Sequence, residues 1–321
     1  MSLLEIREAY VWFDLPHGEL EAVRGVSFAL DKGERLGLVG ESGCGKTTSV
    51  LAVMGLLPSN AWVAGEVLVE GEDILVEGEA TVRPHRWTDV AMVFQGAMNA
   101  FNPVRRVGAQ LVETMEFHHV AEGGAAEKRA GELLDMVGIP ADRAKRYPHE
   151  LSGGMRQRAA LAMALSCNPK VLLADEPTTA LDVMVQAQIL ELLVELARDL
   201  DLALILVTHD LPAVAEVCDR AAVMYAGEIV EMGSMDTLFH DPRHPYTRLL
   251  FAATPDLYGD EDVISIPGAP PRLDQPIIGC PFAPRCDSTF EHCRQVSPRL
   301  IEVTPGRSAA CHLNDPKVKK P

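Results

Sequence analysis

A glycine-rich run, GESGCGKT, occupies residues 40–47 and has the residue types and spacing of a phosphate-binding loop, G-x-x-x-x-G-K-[ST]. Glycines let the backbone curl so that its amide N–H groups point at phosphate oxygens, and a helix that starts at the loop adds the positive end of its dipole. Lys46 would then reach the β- and γ-phosphates, and the Thr47 hydroxyl would bind Mg²⁺. Cys44 is interpreted as a small filler, because such a loop binds through its backbone. The run predicts a nucleoside triphosphate site.

Two adjacent carboxylates, Asp175 and Glu176, end the apolar run VLLADE. In isolation this pattern is often a solvated strand end, but together with a phosphate-binding loop it indicates a hydrolytic site. Asp175 is predicted to hold Mg²⁺ through its water shell, and Glu176 to orient and polarise the attacking water. The pair therefore predicts hydrolysis of the bound nucleotide.

Four of the seven cysteines follow the spacing C-x5-C-x6-C-x17-C near the end of the sequence. They are Cys280, Cys286, Cys293 and Cys311. No secretory signal is recognised, and in a reducing compartment clustered thiols bind metals more often than they form disulfides. Zinc sites usually have tighter C-x2-4-C spacing, whereas an iron–sulfur cluster is larger and suits wider loops. Cluster, zinc and coincidence all stay open here. His292 and His312 adjoin two of the cysteines and are interpreted as exposed neighbours, with a ligand role as the alternative.

The segments around these residues alternate between predicted strands and helices. GERLGLVG is a short apolar strand that leads into the glycine-rich run, and TTSVLAVMGLL has the pattern of a helix that Pro58 ends. KVLLADEP and LALILVTHD are nearly continuous apolar runs, which suit parallel strands covered by helices on both faces. The sequence therefore predicts an α/β fold. A boundary is expected after Gly233, because the later segment IPGAPPRLDQP is too rich in proline for a packed element.

Composition narrows the classes of function. The chain has 321 residues, a formal net charge of -17 and an isoelectric point near 5.0, which disfavours a protein that coats nucleic acid. The sequence has no apolar run long enough to cross a bilayer. Any role at a membrane is therefore expected to depend on spans that another chain supplies.

The stretch LSGGMRQR at residues 151–158 identifies a family: the chain resembles the ATP-binding subunits of ABC transporters, whose LSGG signature lies between the phosphate loop and the acidic strand. Further family motifs appear in the expected order along the chain, namely Gln95 in VFQ, ALD at residues 180–182 and His209 in VTHD. The resemblance implies a P-loop ABC nucleotide-binding domain over residues 1–235. This domain has a RecA-like core and a helical subdomain at about residues 99–166.

The resemblance also implies roles for individual residues. Glu176, His209 and Gln95 are predicted to be catalytic. His209 is predicted to contact the γ-phosphate and Gln95 to report it to a membrane partner, with a polar cap and a solvent-facing strand end as their alternatives. Thr47, Gln95 and Asp175 are predicted to bind Mg²⁺. The predicted nucleotide-binding residues are Phe13, Gly40, Glu41, Ser42, Gly43, Cys44, Gly45, Lys46, Thr47, Thr48, Gln95, Asp175, Ser152, Gly153 and Gly154.

The signature is expected to act on a second chain. Ser152 and the glycines after it are predicted to open a helix whose amides and hydroxyl suit a γ-phosphate. The resemblance implies a head-to-tail dimer in which ATP lies between one chain's phosphate loop and the other's signature, so that hydrolysis weakens the interface. Phe13 is implied to stack on adenine, with His17 as the alternative.

The segment RHPYTRLL at residues 243–250, the proline-rich segment and the cysteines resemble the C-terminal extension of oligopeptide and dipeptide importer ATPases. The group also includes nickel and some oligosaccharide uptake systems. The resemblance implies an extension over residues 236–321 and a [4Fe–4S] cluster on the four cysteines, with zinc as the alternative. A redox role of the cluster has no support in the sequence.

The implied function is an ATPase of the translocase class that powers import of a solute, foremost di- or oligopeptides. The implied partners are a second ABC ATPase subunit, with family precedent favouring a paralogue, two transmembrane permease subunits and an extracytoplasmic solute-binding protein. No nucleic acid is expected. The implied location is peripheral, at the cytoplasmic face of the cell membrane.

The alternative is a soluble ABC ATPase of DNA repair or translation, which the single cassette and the acidic charge disfavour. An exporter half is disfavoured because its fused spans are missing. The sequence does not distinguish peptide, nickel and oligosaccharide as the solute.

Overall fold

A computed structural model describes residues 2–96, 100–253 and 265–319. Residue 99, the predicted start of the helical subdomain, lies outside these ranges. The chain divides into two compact units. The first unit comprises Met1–Leu4, Leu30–Arg35 and Val69–Leu206, and the second comprises Glu5–Ala29, Leu36–Leu68 and Val207–Pro321.

Strands and helices alternate along most of the described chain, as the sequence predicts. The strands are β1 (Leu4–Leu15), β2 (Gly18–Leu30), β3 (Arg35–Val39), β4 (Ala61–Val69), β5 (Glu72–Asp73), β6 (Val90–Val93), β7 (Val171–Asp175), β8 (Ala203–Thr208), β9 (Arg220–Tyr225), β10 (Glu228–Ser234), β11 (Ile301–Thr304) and β12 (Arg307–Ala309). The α-helices are α1 (Lys46–Val53), α2 (Glu79–His85), α3 (Val107–Phe117), α4 (Gly123–Met136), α5 (Gly153–Ala164), α6 (Val183–Asp199), α7 (Leu211–Val217), α8 (Met235–His240), α9 (Pro245–Ala252) and α10 (Glu291–Gln295). Short 3-10 turns occupy Ala141–Lys145, Pro148–Glu150 and Ala283–Arg285.

The first unit contains parallel strands and a group of helices. Strand β7 lies between β8 and β6 and pairs with β6 in parallel, with Val93 opposite Ala174. Every residue of β7 is buried, which explains its continuous apolar run. Helices α3, α4 and α5 contact one another, and α3 buries Val107, Leu111 and Met115 at the spacing of one helix face. Helices are therefore present between β6 and β7, where the sequence predicts a helical segment.

The second unit contains a sheet with the strand order β11-β12-β10-β9-β3. Strand β3 pairs with β9 in parallel, whereas β10 is antiparallel to both β9 and β12. Strands β2, β1 and β4 are neighbours in a second sheet. Because β12 pairs with β10, the predicted C-terminal extension is joined by main-chain hydrogen bonds to a strand that precedes the predicted boundary.

A buried ion pair supports this junction. Glu231 of β10 is fully buried and accepts hydrogen bonds from the Arg307 guanidinium of β12, at 2.8 Å from Nη2 and 3.3 Å from Nε. Its carboxylate also accepts from the backbone N–H groups of Arg243 and His244, both at 2.8 Å. The guanidinium contacts Asp241 as well, at 3.3 Å from Nη1. Glu231 thus fixes both β12 and the start of α9.

None of the helices in the described ranges has the length and apolar character needed to cross a membrane.

Candidate active site

The phosphate loop of the second unit connects the end of β3 to the start of α1. Gly40 and Gly45 have φ angles of +148° and +104°, which residues with a Cβ rarely adopt. A Cβ on Gly40 would lie 2.2 Å from the carbonyl oxygen of Met224, and one on Gly45 would lie 2.4 Å from that of Ala22. The glycines therefore allow the loop to pass closely between two strands, and Gly45 places the helix N-terminus at the loop.

Lys46 closes the loop on itself. Its side chain is buried, and Nζ donates hydrogen bonds to the carbonyl oxygens of Gly40 at 2.8 Å and Glu41 at 3.0 Å. The ammonium group therefore lies where an incoming phosphate can exchange carbonyl contacts for anionic ones. Burial raises the pKa of the Cys44 thiol, which keeps it protonated, as expected of a filler rather than a nucleophile.

The other predicted residues of this unit take the following positions. Thr47 and Thr48 are half-buried in the first turn of α1, while Ser42 and Gly43 are exposed in the loop. Phe13 is half-buried on β1, and His17 is exposed in the turn before β2. His209 is exposed directly after β8.

The first unit brings Gln95 and Glu176 together. Because β6 and β7 pair in parallel, residues just beyond their carboxyl ends meet at the same edge. Gln95 Nε2 donates to Glu176 Oε2 at 2.7 Å, and the Thr179 hydroxyl donates to the same oxygen at 2.9 Å. Glu176 adopts a left-handed backbone with φ of +44°, and Asp175 before it is buried at 1% exposure. This arrangement holds one carboxylate in a defined orientation, as a general base requires.

The signature starts a helix, as predicted. Ser152 is the N-cap of α5, and its side-chain oxygen accepts from the backbone N–H of Met155 at 3.3 Å. A capping serine keeps its own O–H available as a donor. Gly153 and Gly154 form the first turn, and a Cβ on Gly154 would lie 2.7 Å from Val185 Cγ1 of α6. The signature glycine thus lets α5 approach α6 closely.

The four predicted cysteines line one cavity in the second unit, together with Phe282 and His312 among others. All seven cysteines lie in the described ranges, and all are free thiols. Cys280 and Cys293 are joined by a backbone hydrogen bond of 2.7 Å from the N–H of Cys280.

The cavity does not have the arrangement of a single-ion site. Among residues 2–96, 100–253 and 265–319, no three or more His, Cys, Asp or Glu side chains are arranged to hold a metal ion. Burial raises the pKa of Cys280 to about 12 and that of Cys311 to about 11, so both are neutral thiols without a cation. His312 is buried, not exposed as predicted, and its Nε2 bonds the carbonyl oxygen of Val296 at 2.8 Å. His292 packs against it, with ring centroids 4.5 Å apart.

Two residues that hold Glu41 of the phosphate loop were not predicted from the sequence. The Glu41 carboxylate is bound by the Arg285 guanidinium, and its backbone N–H donates to the Tyr246 hydroxyl at 2.9 Å. The Glu41 carboxylate itself was a signal, because a negative charge in a predicted phosphate-binding loop requires a compensating cation. The sequence did not indicate which arginine supplies it.

The chain is similar to known proteins over nearly its whole length. The family model "ABC transporter" matches residues 23–179, and the model "Oligopeptide/dipeptide transporter, C-terminal region" matches residues 230–293. The chain is 46% identical to the oligopeptide transport ATP-binding protein OppD of Bacillus subtilis (strain 168) over 328 residues, 99% of this chain and 92% of the relative. It is 45% identical to the dipeptide transport ATP-binding protein DppD of the same organism over 324 residues, 99% and 96% of the two chains. Identity to OppD of Escherichia coli (strain K12) is 46% over 313 residues, 97% and 93%.

A solved structure is also similar. The dimeric ATP-binding cassette MJ0796 in a post-hydrolysis state with ADP and Pi aligns with a TM-score of 0.64 and 27% identity, covering 72% of this chain and 98% of that one.

Proposed function

The chain belongs to the ABC transporter ATP-binding family, and from that premise we propose that it hydrolyses ATP to power the import of di- or oligopeptides. The observation that carries the ATPase part is the phosphate loop, where glycines with positive φ angles bring the buried Lys46 ammonium group and the start of α1 to one loop. The near full-length similarity to oligopeptide and dipeptide transport ATP-binding proteins supports the peptide cargo.

The catalytic roles follow from what the side chains can do. Glu176 accepts a proton from the attacking water, and the hydrogen bond from Gln95 holds its carboxylate in place. Lys46 binds the β- and γ-phosphates after leaving its carbonyl partners. Thr47, Gln95 and Asp175 would hold Mg²⁺, which would neutralise charge on the phosphates. His209 contacts the γ-phosphate, and Phe13 stacks on adenine.

The second ATPase subunit completes the site. Ser152, Gly153 and Gly154 of one chain bind the γ-phosphate held by the phosphate loop of the other. The solved relative MJ0796 is a dimer, which supports this arrangement. The second subunit is a paralogous ATPase. The other partners are two transmembrane permeases and an extracytoplasmic solute-binding protein. The chain then lies peripherally at the cytoplasmic face of the cell membrane.

The cysteine-lined cavity is proposed to hold a [4Fe–4S] cluster on Cys280, Cys286, Cys293 and Cys311. Four thiols on one cavity are the ligand set that such a cluster needs. Bound iron would keep the cysteines as thiolates and fix a loop-rich segment. Protein purified without oxygen should be brown and contain about four irons per chain. Colourless protein with stoichiometric zinc and no acid-labile sulfide would replace the cluster by zinc.

The ATPase assignment is tested in the assembled transporter with Glu176→Gln and Lys46→Ala. Glu176→Gln keeps the shape but not the base, so turnover should fall at least about a hundredfold while ATP still binds. Lys46→Ala should weaken nucleotide binding itself. Glu191→Gln, an exposed position of α6, is the matched control and should hydrolyse ATP at the parent rate. Hydrolysis by Glu176→Gln at the rate of this control would refute the role of Glu176.

A further inference from the structure

Glu41 places a carboxylate in the loop that receives the phosphates of the nucleotide. Its side chain is 27% exposed, so solvent screens its charge incompletely. An uncompensated carboxylate here would repel the triphosphate, because like charges at close range in a partly buried site destabilise each other. The loop therefore requires a cation that is not Lys46, whose ammonium group must serve the nucleotide.

Arg285 supplies this cation in a fixed geometry. Its two terminal nitrogens reach the two Glu41 oxygens, Nη1 to Oε2 at 2.6 Å and Nη2 to Oε1 at 3.0 Å. Such a two-pronged pair fixes orientation as well as charge. The arginine side chain is only 4% exposed, and its Nε donates to the carbonyl oxygen of Pro267 at 2.8 Å while Nη1 reaches the Tyr225 hydroxyl at 3.3 Å. The guanidinium is thus held independently of Glu41.

The backbone of Glu41 is held as well. Its N–H donates to the Tyr246 hydroxyl at 2.9 Å, and its carbonyl oxygen accepts from Lys46 Nζ at 3.0 Å. A shift of Glu41 would therefore move one of the two carbonyl oxygens that accept hydrogen bonds from Lys46.

The residues that hold Glu41 pack on the cysteine segment. The rings of Tyr225 and Tyr246 lie 4.6 Å apart, and each packs on Phe282 at 5.2 and 5.4 Å. Phe282 lines the cysteine cavity, and Arg285 ends the short turn Ala283–Arg285 directly before Cys286. One continuous set of buried contacts therefore runs from the cavity wall to the phosphate loop.

We propose that Arg285 is a positioning residue for ATP binding, which neutralises and orients Glu41 and thereby makes nucleotide affinity depend on the cysteine segment. This inference rests on the proposed role of the phosphate loop. It assigns to the C-terminal extension a direct part in the nucleotide site.

The test measures the Kd for MgATP by calorimetric titration of the full-length chain. Arg285→Met should weaken binding at least about tenfold, because Glu41 is left unpaired. The double variant Glu41→Gln with Arg285→Met removes the repelling charge and should bind at least about threefold more tightly than Arg285→Met alone. Arg272→Met is the matched control, since Arg272 belongs to the same extension and is 71% exposed; its Kd should be unchanged.

Two results would overturn the proposal: Arg285→Met binding MgATP like the parent, or the double variant binding as weakly as Arg285→Met. Lys46→Ala separates this failure from failure of the phosphate-loop assignment, which would be wrong if Lys46→Ala bound MgATP normally. If Arg285→Met does not fold, hydrogen exchange of the parent protein tests the proposal instead. By reciprocal linkage, MgATP should slow exchange at residues 280–286 in the parent and not in Lys46→Ala. MgATP binding without this protection would refute the coupling.

Discussion

The buried pair of Glu231 and Arg307 makes a quantitative prediction for Arg307→Met. The substitution keeps most of the side-chain volume but leaves a fully buried carboxylate without its cation. Breaking a buried ion pair by removing one partner typically costs about 3–5 kcal/mol. Glu231 keeps the two backbone N–H groups of Arg243 and His244, so we expect the lower end of this range, about 3 kcal/mol.

Hydrogen exchange of the native protein gives the local readout. A loss of about 3 kcal/mol corresponds to opening that is more than about a hundredfold more frequent, at 1.4 kcal/mol per tenfold. Amides of α9 and β12 should show this acceleration, because Glu231 holds both elements.

Two control variants separate the buried pair from ordinary surface charge. Asp241→Asn changes a carboxylate in the same network that is 59% exposed, and it should accelerate exchange less than about threefold. Arg198→Met changes an exposed arginine paired with Asp199 and should have no measurable effect. Exchange in Arg307→Met that is no faster than in Arg198→Met would refute the role of the buried pair.

Three further predictions concern backbone, acid and thiol chemistry. Gly45→Ala should weaken MgATP binding more than about tenfold in a titration, because its Cβ would lie 2.4 Å from a main-chain carbonyl oxygen of β2; Gly124→Ala, which meets open space, should not. Burial lowers the pKa of His244 to about 3, below its usual 6.5, so its contribution to stability is present above pH 6.5 and is lost as pH falls toward 3. The urea concentration at the unfolding midpoint should therefore fall less between pH 7 and about pH 5 in His244→Asn than in the parent. An equal fall in both proteins would contradict this. In metal-free protein at pH 8, Cys280 and Cys311 should react with iodoacetamide much more slowly than the same cysteines do in urea. The reason is that burial raises the pKa of Cys280 to about 12 and that of Cys311 to about 11. Equal reaction rates in the two conditions, measured by mass spectrometry, would refute neutral, buried thiols.

Elements with strong periodicity could be predicted from the sequence, because their pattern reflects burial within the element itself. The apolar runs of β7 and β8 lie where they were expected. Helix α1 is shorter than predicted, because it ends at Val53 and Gly55 then adopts φ of +59°. Strands β11 and β12 were not predicted, although Pro305 and Gly306 between them form a turn signal. Their few residues give too short a pattern to detect.

Contacts across the chain could not be predicted in the same way. Gln95 and Glu176 were both named, but their hydrogen bond depends on the register of β6 against β7, which a single sequence does not fix. The family match supports the ATPase and the peptide transporter, while the roles of individual site residues and the cluster stay predictions. Arg285 and Glu41 were missed as a pair, because 244 positions separate them and no periodicity relates such distant residues.

That separation has a consequence for the order in which the protein matures on the ribosome. Translation adds roughly 5–20 residues per second, so the partner of Glu41 is made about 12–50 s after Glu41 itself. During this interval the loop already contains its glycines and Lys46 but carries an unpaired carboxylate. The nascent chain therefore acquires its full affinity for ATP last, after residue 285 has emerged. High-affinity nucleotide binding, and any dimerisation that depends on it, is thereby restricted to chains whose C-terminal part has been synthesised and folded.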